Sequence, residues 1–258
     1  MVKKLEVDGH EPSVEELQDA VVTAYGHFTA MQVRGGRVRG LALHLARLDA
    51  ANRAVFGRPL DGTHVRSLIR HALDGGSGDA SVRVLVRERS DGSGFRVFVF
   101  VRPPFEMPRD ASQQLKSTPY LRPVPEIKRP GDFAHAYYID RAVEAGFDDA
   151  LLVGPDGLVA EAGIANIAFF DGRGVLWPDA PQLAGITMQL VAPLLAERMP
   201  SRTAKVILAD LPSMVGAVVT NSRGVAAVAR IDEVELPGAP EFVGAVKDVY
   251  ESVPWDRI

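Results

Sequence analysis

The chain has 258 residues, 47% of them hydrophobic and 24% charged, which suffices for a buried core in one large or two modest domains. A formal net charge of −4, with acidic and basic residues alternating along the chain, offers no basic field for a phosphate backbone, so nucleic acid is excluded as an expected partner. The absence of cysteine removes disulfides, thiolate metal sites and a thiol nucleophile. The opening MVKKLEVDGHEPS lacks the apolar stretch of a secretory leader, and no apolar run reaches the roughly 18 residues that span a bilayer; the expected setting is the cytoplasm, with no membrane partner.

In chain order, Ser13-Val-Glu-Glu16 fits the S-x-x-E capping box and predicts a helix through about Tyr25. Residues Phe28 to Val33 read as a strand, Gly35-Gly36 as a hairpin turn and Arg37 to Leu41 as the return strand. Leu41, Leu45, Leu48 and Val55 fall at helical spacing, which puts His44 and Arg47 near one another on the helix flank. A helix over His64 to Leu73 follows, then two alternating strands joined through Asp91-Gly92 and stopped by Pro103-Pro104. The aperiodic, proline-rich stretch after them predicts a boundary: a small domain over 1–105, a linker over 106–113 and a larger domain over 114–258. The second half predicts strands at Leu115 to Tyr120, Ala150 to Val153, Ala165 to Phe170, Lys205 to Leu208, Ala217 to Thr220 and Ala226 to Ile231. Its helices are expected at His135 to Ala145, Thr187 to Arg198 and Glu241 to Val249. Strands and helices mixed without a strict βαβ repeat favour an α+β fold.

Three features carry potential chemistry. Glu161 stands in GLVAEAGIANIAFFDG, among small and apolar residues; it reads either as a surface glutamate at a strand end or as a carboxylate facing a ligand nitrogen, since burial requires a cation or donor. Six of the 29 basic residues are lysines, and of these Lys128 alone follows a proline-braced segment, TPYLRPVPEI, and precedes Arg129-Pro130. It reads either as a solvated lysine or as an amine projected into a pocket where desolvation or a neighbouring cation makes it nucleophilic; Lys116 is its main rival. Gly185 leading into Thr187 at a helix start, and Thr220-Asn221-Ser222 at a strand end, are ordinary cap and turn residues or anion holders, with Arg47 as a possible countercharge. No P-loop or dinucleotide fingerprint occurs, and the scattered histidines indicate no metal site.

In this order the pieces resemble the fold type IV pyridoxal-phosphate enzymes: branched-chain and D-amino acid aminotransferases and aminodeoxychorismate lyases. HLARL at 44–48 is similar to the family's H-x-x-R-L helix, which implies Arg47 as a phosphate ligand. PEIK is similar to the segment ending in the Schiff-base lysine, implying Lys128. AVEAGFDDALLVGPDGLVAEAGIANIAFF resembles the signature whose glutamate pairs with the pyridine nitrogen, implying Glu161, with Asn166 five residues on. LAGIT and TNS resemble the two phosphate-binding turns, implying Ile186 and Thr187, and Thr220, Asn221 and Ser222. Two positions depart from the pattern: Ala162 stands where a glycine usually follows the glutamate, and Phe133 where some members carry a tyrosine.

The resemblance implies a two-domain fold type IV architecture, with a small α/β N-terminal domain and a larger domain of mixed sheets and flanking helices. It implies pyridoxal 5'-phosphate as cofactor, a homodimer, and Lys128 as both covalent anchor and proton carrier, with Glu161 keeping the ring nitrogen protonated. The first expectation is a transaminase acting on an amino acid or amine and a 2-oxo acid. The alternatives are a 4-amino-4-deoxychorismate lyase releasing pyruvate and p-aminobenzoate, and a non-catalytic binding protein. Arg34, Arg39, Arg102 and Arg122 are all open as the substrate-carboxylate arginine, and either face of the Phe28 to Arg34 strand, Phe28/Ala30/Gln32/Arg34 or Thr29/Met31/Val33, can line the substrate side.

Overall fold

The computed structural model describes residues 2–22, 24–74 and 78–258, excepting the side chains of 19–22. Its contacts divide the chain into two units. The first takes the chain up to Glu106 together with Ile127–Asp132 and Pro254–Ile258; the second takes Met107–Glu126 and Phe133–Val253. Two segments that chain order alone puts with the second half therefore fold with the first, and one of them carries Lys128.

The first unit comprises β1 (Lys4–Val7), α1 (Val14–Val22), β2 (His27–Arg34), β3 (Arg37–Arg39), α2 (Leu41–Phe56), α3 (Gly62–Ala72), β4 (Ala80–Glu88) and β5 (Phe95–Arg102). The capping box forms as read, with Ser13 N donating to Glu16 Oε2 at 2.9 Å and Glu16 N to Ser13 Oγ at 3.2 Å. The end expected for α1, near Tyr25, falls past Thr23, which lies outside the described residues. Gly35 and Gly36 both have positive φ, the geometry whose twist suits a two-residue hairpin. The return strand stops at Arg39, not Leu41, because Gly40 at φ 70 turns the chain directly into α2. The sheet is antiparallel in the order β1-β5-β4-β2-β3, completed by the C-terminal strand Trp255–Arg257 on β3. Met31, Val33, Val82, Val84, Val97 and Val99 on one sheet face pack with Leu48 of α2 and Val65 and Ile69 of α3. The alternation of β2 follows: His27, Thr29, Met31 and Val33 are buried on that face, while Phe28, Ala30, Gln32 and Arg34 are half-buried on the other.

The second unit comprises β6 (Ser112–Pro119), α4 (Phe133–Glu144), β7 (Asp149–Val153), β8 (Val159–Ala162), β9 (Asn166–Phe170), β10 (Val175–Pro178), α5 (Ile186–Ala196), β11 (Ser201–Ala204), β12 (Gly216–Asn221), β13 (Gly224–Ile231), β14 (Val234–Glu235) and α6 (Pro240–Ser252). Its mixed sheet runs β11-β10-β9-β12-β13-β6-β7-β8, with β14 on β13; β6 pairs in parallel with both β7 and β13. The sheet curls, because terminal strand β8 is tied toward the far end: Val159 N donates to Val206 O at 2.8 Å, beside a bridge between Leu158 and Ile207. One face surrounds a core of Leu115, Leu151, Ile167, Phe169, Val219 and Val228. The opposite face packs Ala168, Val175 and Val218 against Val191 and Leu195 of α5 and Phe242 and Val246 of α6.

The strand expected at Lys205 to Leu208 is displaced. The ladder instead holds Ser201–Ala204, parallel to β10, and Val206 and Leu208 turn their side chains into the core. Their apolar character serves burial, which sequence pattern cannot separate from strand pairing. Among the described residues no helix is long and apolar enough to cross a membrane, and no group of three or more His, Cys, Asp or Glu side chains is placed to hold a metal ion.

Candidate active site

In the first unit, Lys128 is anchored through its main chain: its carbonyl accepts from Phe28 N at 2.8 Å, beside the stretch of β2 that β3 does not cover. Its Nζ lies 5.0 Å from the centre of the Phe28 ring, and the Arg83 guanidinium lies 4.6 Å from the same ring. Arg83 was not among the arginines singled out in the sequence. The signal that finds it is register: Arg83 stands opposite Ala30 across the β2–β4 pair, on the Phe28 face. Arg129 is engaged with Asp132 at 2.7 Å.

Arg47 projects from α2, where its Nη2 donates to the Thr29 hydroxyl; that hydroxyl lies 2.6 Å from His44 Nδ1. Arginine only donates, so Thr29 Oγ accepts from Arg47 and is free to donate to His44, which makes Nδ1 the acceptor and puts the imidazole hydrogen on Nε2. Burial, assisted by the Arg47 charge, pushes His44 down to about 3, so the ring is neutral near pH 7. Burial also lowers Arg47 to about 10, and its Nε has no hydrogen-bond partner among the described residues.

In the second unit, Glu161 is buried on β8, and its charge is met by Arg122, itself buried: Nε and Nη2 of the guanidinium each lie 2.9 Å from Oε1. Oε2 accepts from Leu183 N at 3.3 Å. Leu183 O in turn accepts from Asn166 Nδ2 at 2.7 Å, and Gln182 Oε1 accepts from the same amide at 2.8 Å. Asn166, first in β9, stands opposite Thr220 near the end of β12. Gly185 precedes α5 because a Cβ there would sit 2.0 Å from Asn166 Oδ1. Ile186 and Thr187 open that helix, whose first N–H groups lack intrahelical acceptors. Thr187 Oγ1 donates to Asn221 O at 2.7 Å, Asn221 Oδ1 accepts from Arg223 N at 2.8 Å, and Ser222 lies in the turn between them. Thr220 Oγ1 is buried with no partner among the described residues. Glu161, Asn166, Ile186, Thr187, Thr220, Asn221 and Ser222 thus belong to one connected neighbourhood.

Both departures have structural accounts. Ala162 is ordinary strand, opposite Leu151 and without positive φ, so its backbone does not require glycine. Phe133 opens α4 and is 80% exposed. Of the four arginines left open, Arg34 donates to Phe105 O at 2.6 Å, Arg39 stacks at 4.3 Å over Trp255, and Arg122 holds Glu161; Arg102 is exposed at the end of β5. The Thr29/Met31/Val33 face of β2 is closed by the first unit's core, and Lys128 adjoins the Phe28 face.

A model of the amino-transferase class IV family matches residues 26–231. Among curated proteins the sequence finds no significant match. The fold is similar to that of a hypothetical aminotransferase from Mycobacterium tuberculosis in its PLP-bound form, at 21% identity and a TM-score of 0.79 over 91% of this chain and 90% of that one. It is likewise similar to the branched-chain amino acid aminotransferase from Thermobaculum terrenum in its PLP form, at 18% identity and a TM-score of 0.80 over 98% and 94% of the two chains. The fold IV-transaminase CpuTA1 from Curtobacterium pusillum gives 19% identity and a TM-score of 0.78 over 90% and 85%.

Proposed function

The chain belongs to the amino-transferase class IV family, and from that premise we propose that it is a cytoplasmic enzyme moving an amino group between an amino acid or amine and a 2-oxo acid with pyridoxal 5'-phosphate. The observation that carries the reading is the convergence of Glu161, Asn166, Gly185 to Thr187 and Thr220 to Ser222, four separated stretches joined in one hydrogen-bonded neighbourhood.

The residues fit the cofactor. Each unit has a buried donor with no hydrogen-bond partner among the described residues, Arg47 Nε in the first and the Thr220 hydroxyl in the second. The start of α5 adds backbone N–H groups and the positive end of a helix dipole. Arg47, Ile186, Thr187 and the Thr220 to Ser222 turn would hold the phosphate, and Glu161, backed by Arg122, would accept a hydrogen bond from the protonated ring nitrogen and keep its proton in place.

When bound, the cofactor supplies an electrophilic aldehyde and a ring that withdraws electrons from the substrate α-carbon. Lys128 would hold it covalently through the ε-amine, and once displaced by substrate that amine would carry the proton from the substrate α-carbon to the carbon that had been the cofactor's aldehyde. Arg122 offsets the cost of burying Glu161, so a carboxylate can face the ring nitrogen without surrendering its charge. The Thr29 hydroxyl, anchored by neutral His44, aims Arg47.

We also infer a homodimer. α4 presents Phe133 and Tyr137 outward, 80% and 46% exposed with rings stacked at 6.0 Å, the kind of aromatic patch that a partner surface covers.

Reconstitution with pyridoxal phosphate tests the reading. Absorbance of lysine-bound cofactor is expected in the wild type and absent in Lys128→Ala; no such band in either would favour the non-catalytic binding protein. Exchange that requires a 2-oxo acid acceptor marks a transaminase, whereas pyruvate released from aminodeoxychorismate without an acceptor marks the lyase.

A further inference from the structure

We propose that Asp149 and His135 are positioning residues for Glu161, clamping the turn that joins Glu161 on β8 to Asn166 on β9. The inference rests on the reading above, in which Glu161 faces the cofactor.

The turn is Ala162-Gly163-Ile164-Ala165, closed by Ala162 N donating to Ala165 O at 2.8 Å and Ala165 N to Ala162 O at 3.4 Å. Two-residue hairpin turns that match strand twist need positive φ at one or both central positions. Neither Gly163 nor Ile164 has it. The turn is closed by its own two backbone hydrogen bonds, and groups outside it add to that hold. Asp149 Oδ2 accepts from Ile164 N at 3.1 Å while Oδ1 accepts from Ala150 N at 2.9 Å. Gly163 N donates to Ala150 O at 2.8 Å, and Gly163 O accepts from His135 Nε2.

Gly163 is a glycine for the sake of this clamp. A Cβ there would lie 2.2 Å from Asp149 Oδ1 and 2.7 Å from Ile139 Cγ1. Asp149 is only 3% exposed, and burial pushes its carboxyl up to about 6. A carboxylate retained against that cost is weak evidence for stability.

What the clamp secures is register. The β7–β8 ladder is irregular where it matters: Leu152 stands opposite Glu161, but the next pair is Val153 with Val159, so the pairing shifts beside the glutamate. In a strand a slip of one residue turns every side chain to the other face. Pinning the turn two residues beyond Glu161 fixes which way its carboxylate points, toward Arg122 and Leu183 N.

The test uses full-length protein stripped of cofactor, with two readouts: affinity for pyridoxal phosphate and for inorganic phosphate by calorimetry, and hydrogen exchange of the 163–165 amides. In Asp149→Ala and His135→Ala, pyridoxal phosphate should bind about tenfold more weakly while inorganic phosphate changes less than about twofold, and turn amides should exchange about tenfold faster, as expected for a lost hydrogen bond to the turn. His135→Gln, which keeps a donor, should recover most of the loss. Equal weakening of both ligands would show a merely structural role and overturn the proposal, as would unchanged exchange in the turn. If Asp149→Ala fails to fold, Asp149→Asn, which keeps one acceptor oxygen, decides by the same ratio. A wild type that binds phosphate but not pyridoxal phosphate would defeat the functional reading instead, and the exchange data would still decide the clamp.

Discussion

Arg122 donates to a single oxygen of Glu161 from two nitrogens, Nε and Nη2, each at 2.9 Å, and both side chains are almost wholly buried. Removing the guanidinium strands a buried carboxylate. Arg122→Ala is expected to destabilise the protein by about 3–5 kcal/mol, and Arg122→Lys by less. Urea unfolding measures it; a loss below about 1 kcal/mol would mean that water reaches Glu161 and that the pair is not structural.

His44 and Asp149 make opposite contributions to the pH dependence of stability. His44 titrates at about 3 when folded against an ordinary value near 6.5, so the folded state refuses a proton that the unfolded chain accepts. Its stability is complete above about pH 6.5 and falls as pH drops toward 3, by on the order of 4 kcal/mol. Asp149, raised from 3.8 to about 6, contributes most below pH 4 and loses that contribution as pH rises through 6. Thermal melts from pH 4 to 8 should therefore show a shallower acid limb in His44→Gln, and a shallower fall between pH 4 and 6 in Asp149→Asn. Unchanged profiles would refute the burial argument for each group.

A methyl group at Gly185 would meet Asn166 Oδ1 at 2.0 Å, so Gly185→Ala must push the amide off Leu183 O and Gln182. The expected cost is about 1–3 kcal/mol of stability, with pyridoxal phosphate affinity falling alongside. Gly94→Ala, like Gly185→Ala free of a positive φ but with nothing within 4 Å of its Cβ, is the control for the general cost of an added methyl group. If Gly185→Ala binds like wild type, the Gly185 to Thr187 segment does not hold the phosphate.

Arg83 lies against the same aromatic ring as the Lys128 amine. If it receives a substrate carboxylate, Arg83→Ala should raise KM for the acidic partner about tenfold or more with kcat little changed. Initial rates with 2-oxoglutarate and with an uncharged amine donor separate the cases: an equal change for both substrates would rule out carboxylate recognition.

Phe133 and Tyr137 are stacked on α4 and face outward. Phe133→Ser combined with Tyr137→Ser should shift a dimer toward monomer without lowering the melting temperature of the monomer, since neither ring contributes to the core. Light scattering after size exclusion measures the mass, and an unshifted dimer would put the interface elsewhere.

Much of this protein could be read along the chain. The Ser13–Glu16 cap, the Gly35-Gly36 hairpin and the α2 periodicity are local: each depends on groups a few residues apart, and short-range hydrogen bonding or steric preference decides them. The class IV family was legible for the same reason, in short motifs around Arg47, Lys128, Glu161, Thr187 and Thr220 that keep order and spacing. β8, β10 and the Trp255–Arg257 strand were not legible, because four residues or fewer carry no period and only their partners make them strands. The partner of Glu161 was hidden in the same way. Arg122 lies 39 positions away, and nothing local distinguishes it from Arg34, Arg39 or Arg102. Nor could chain order show that Ile127–Asp132 folds with the first unit, or that Asp149 and His135 meet at one turn. Motif chemistry is written in neighbouring residues, whereas the counter-charges and clamps that make a buried carboxylate tolerable are set by long-range packing, which brings together groups that have no relation in sequence.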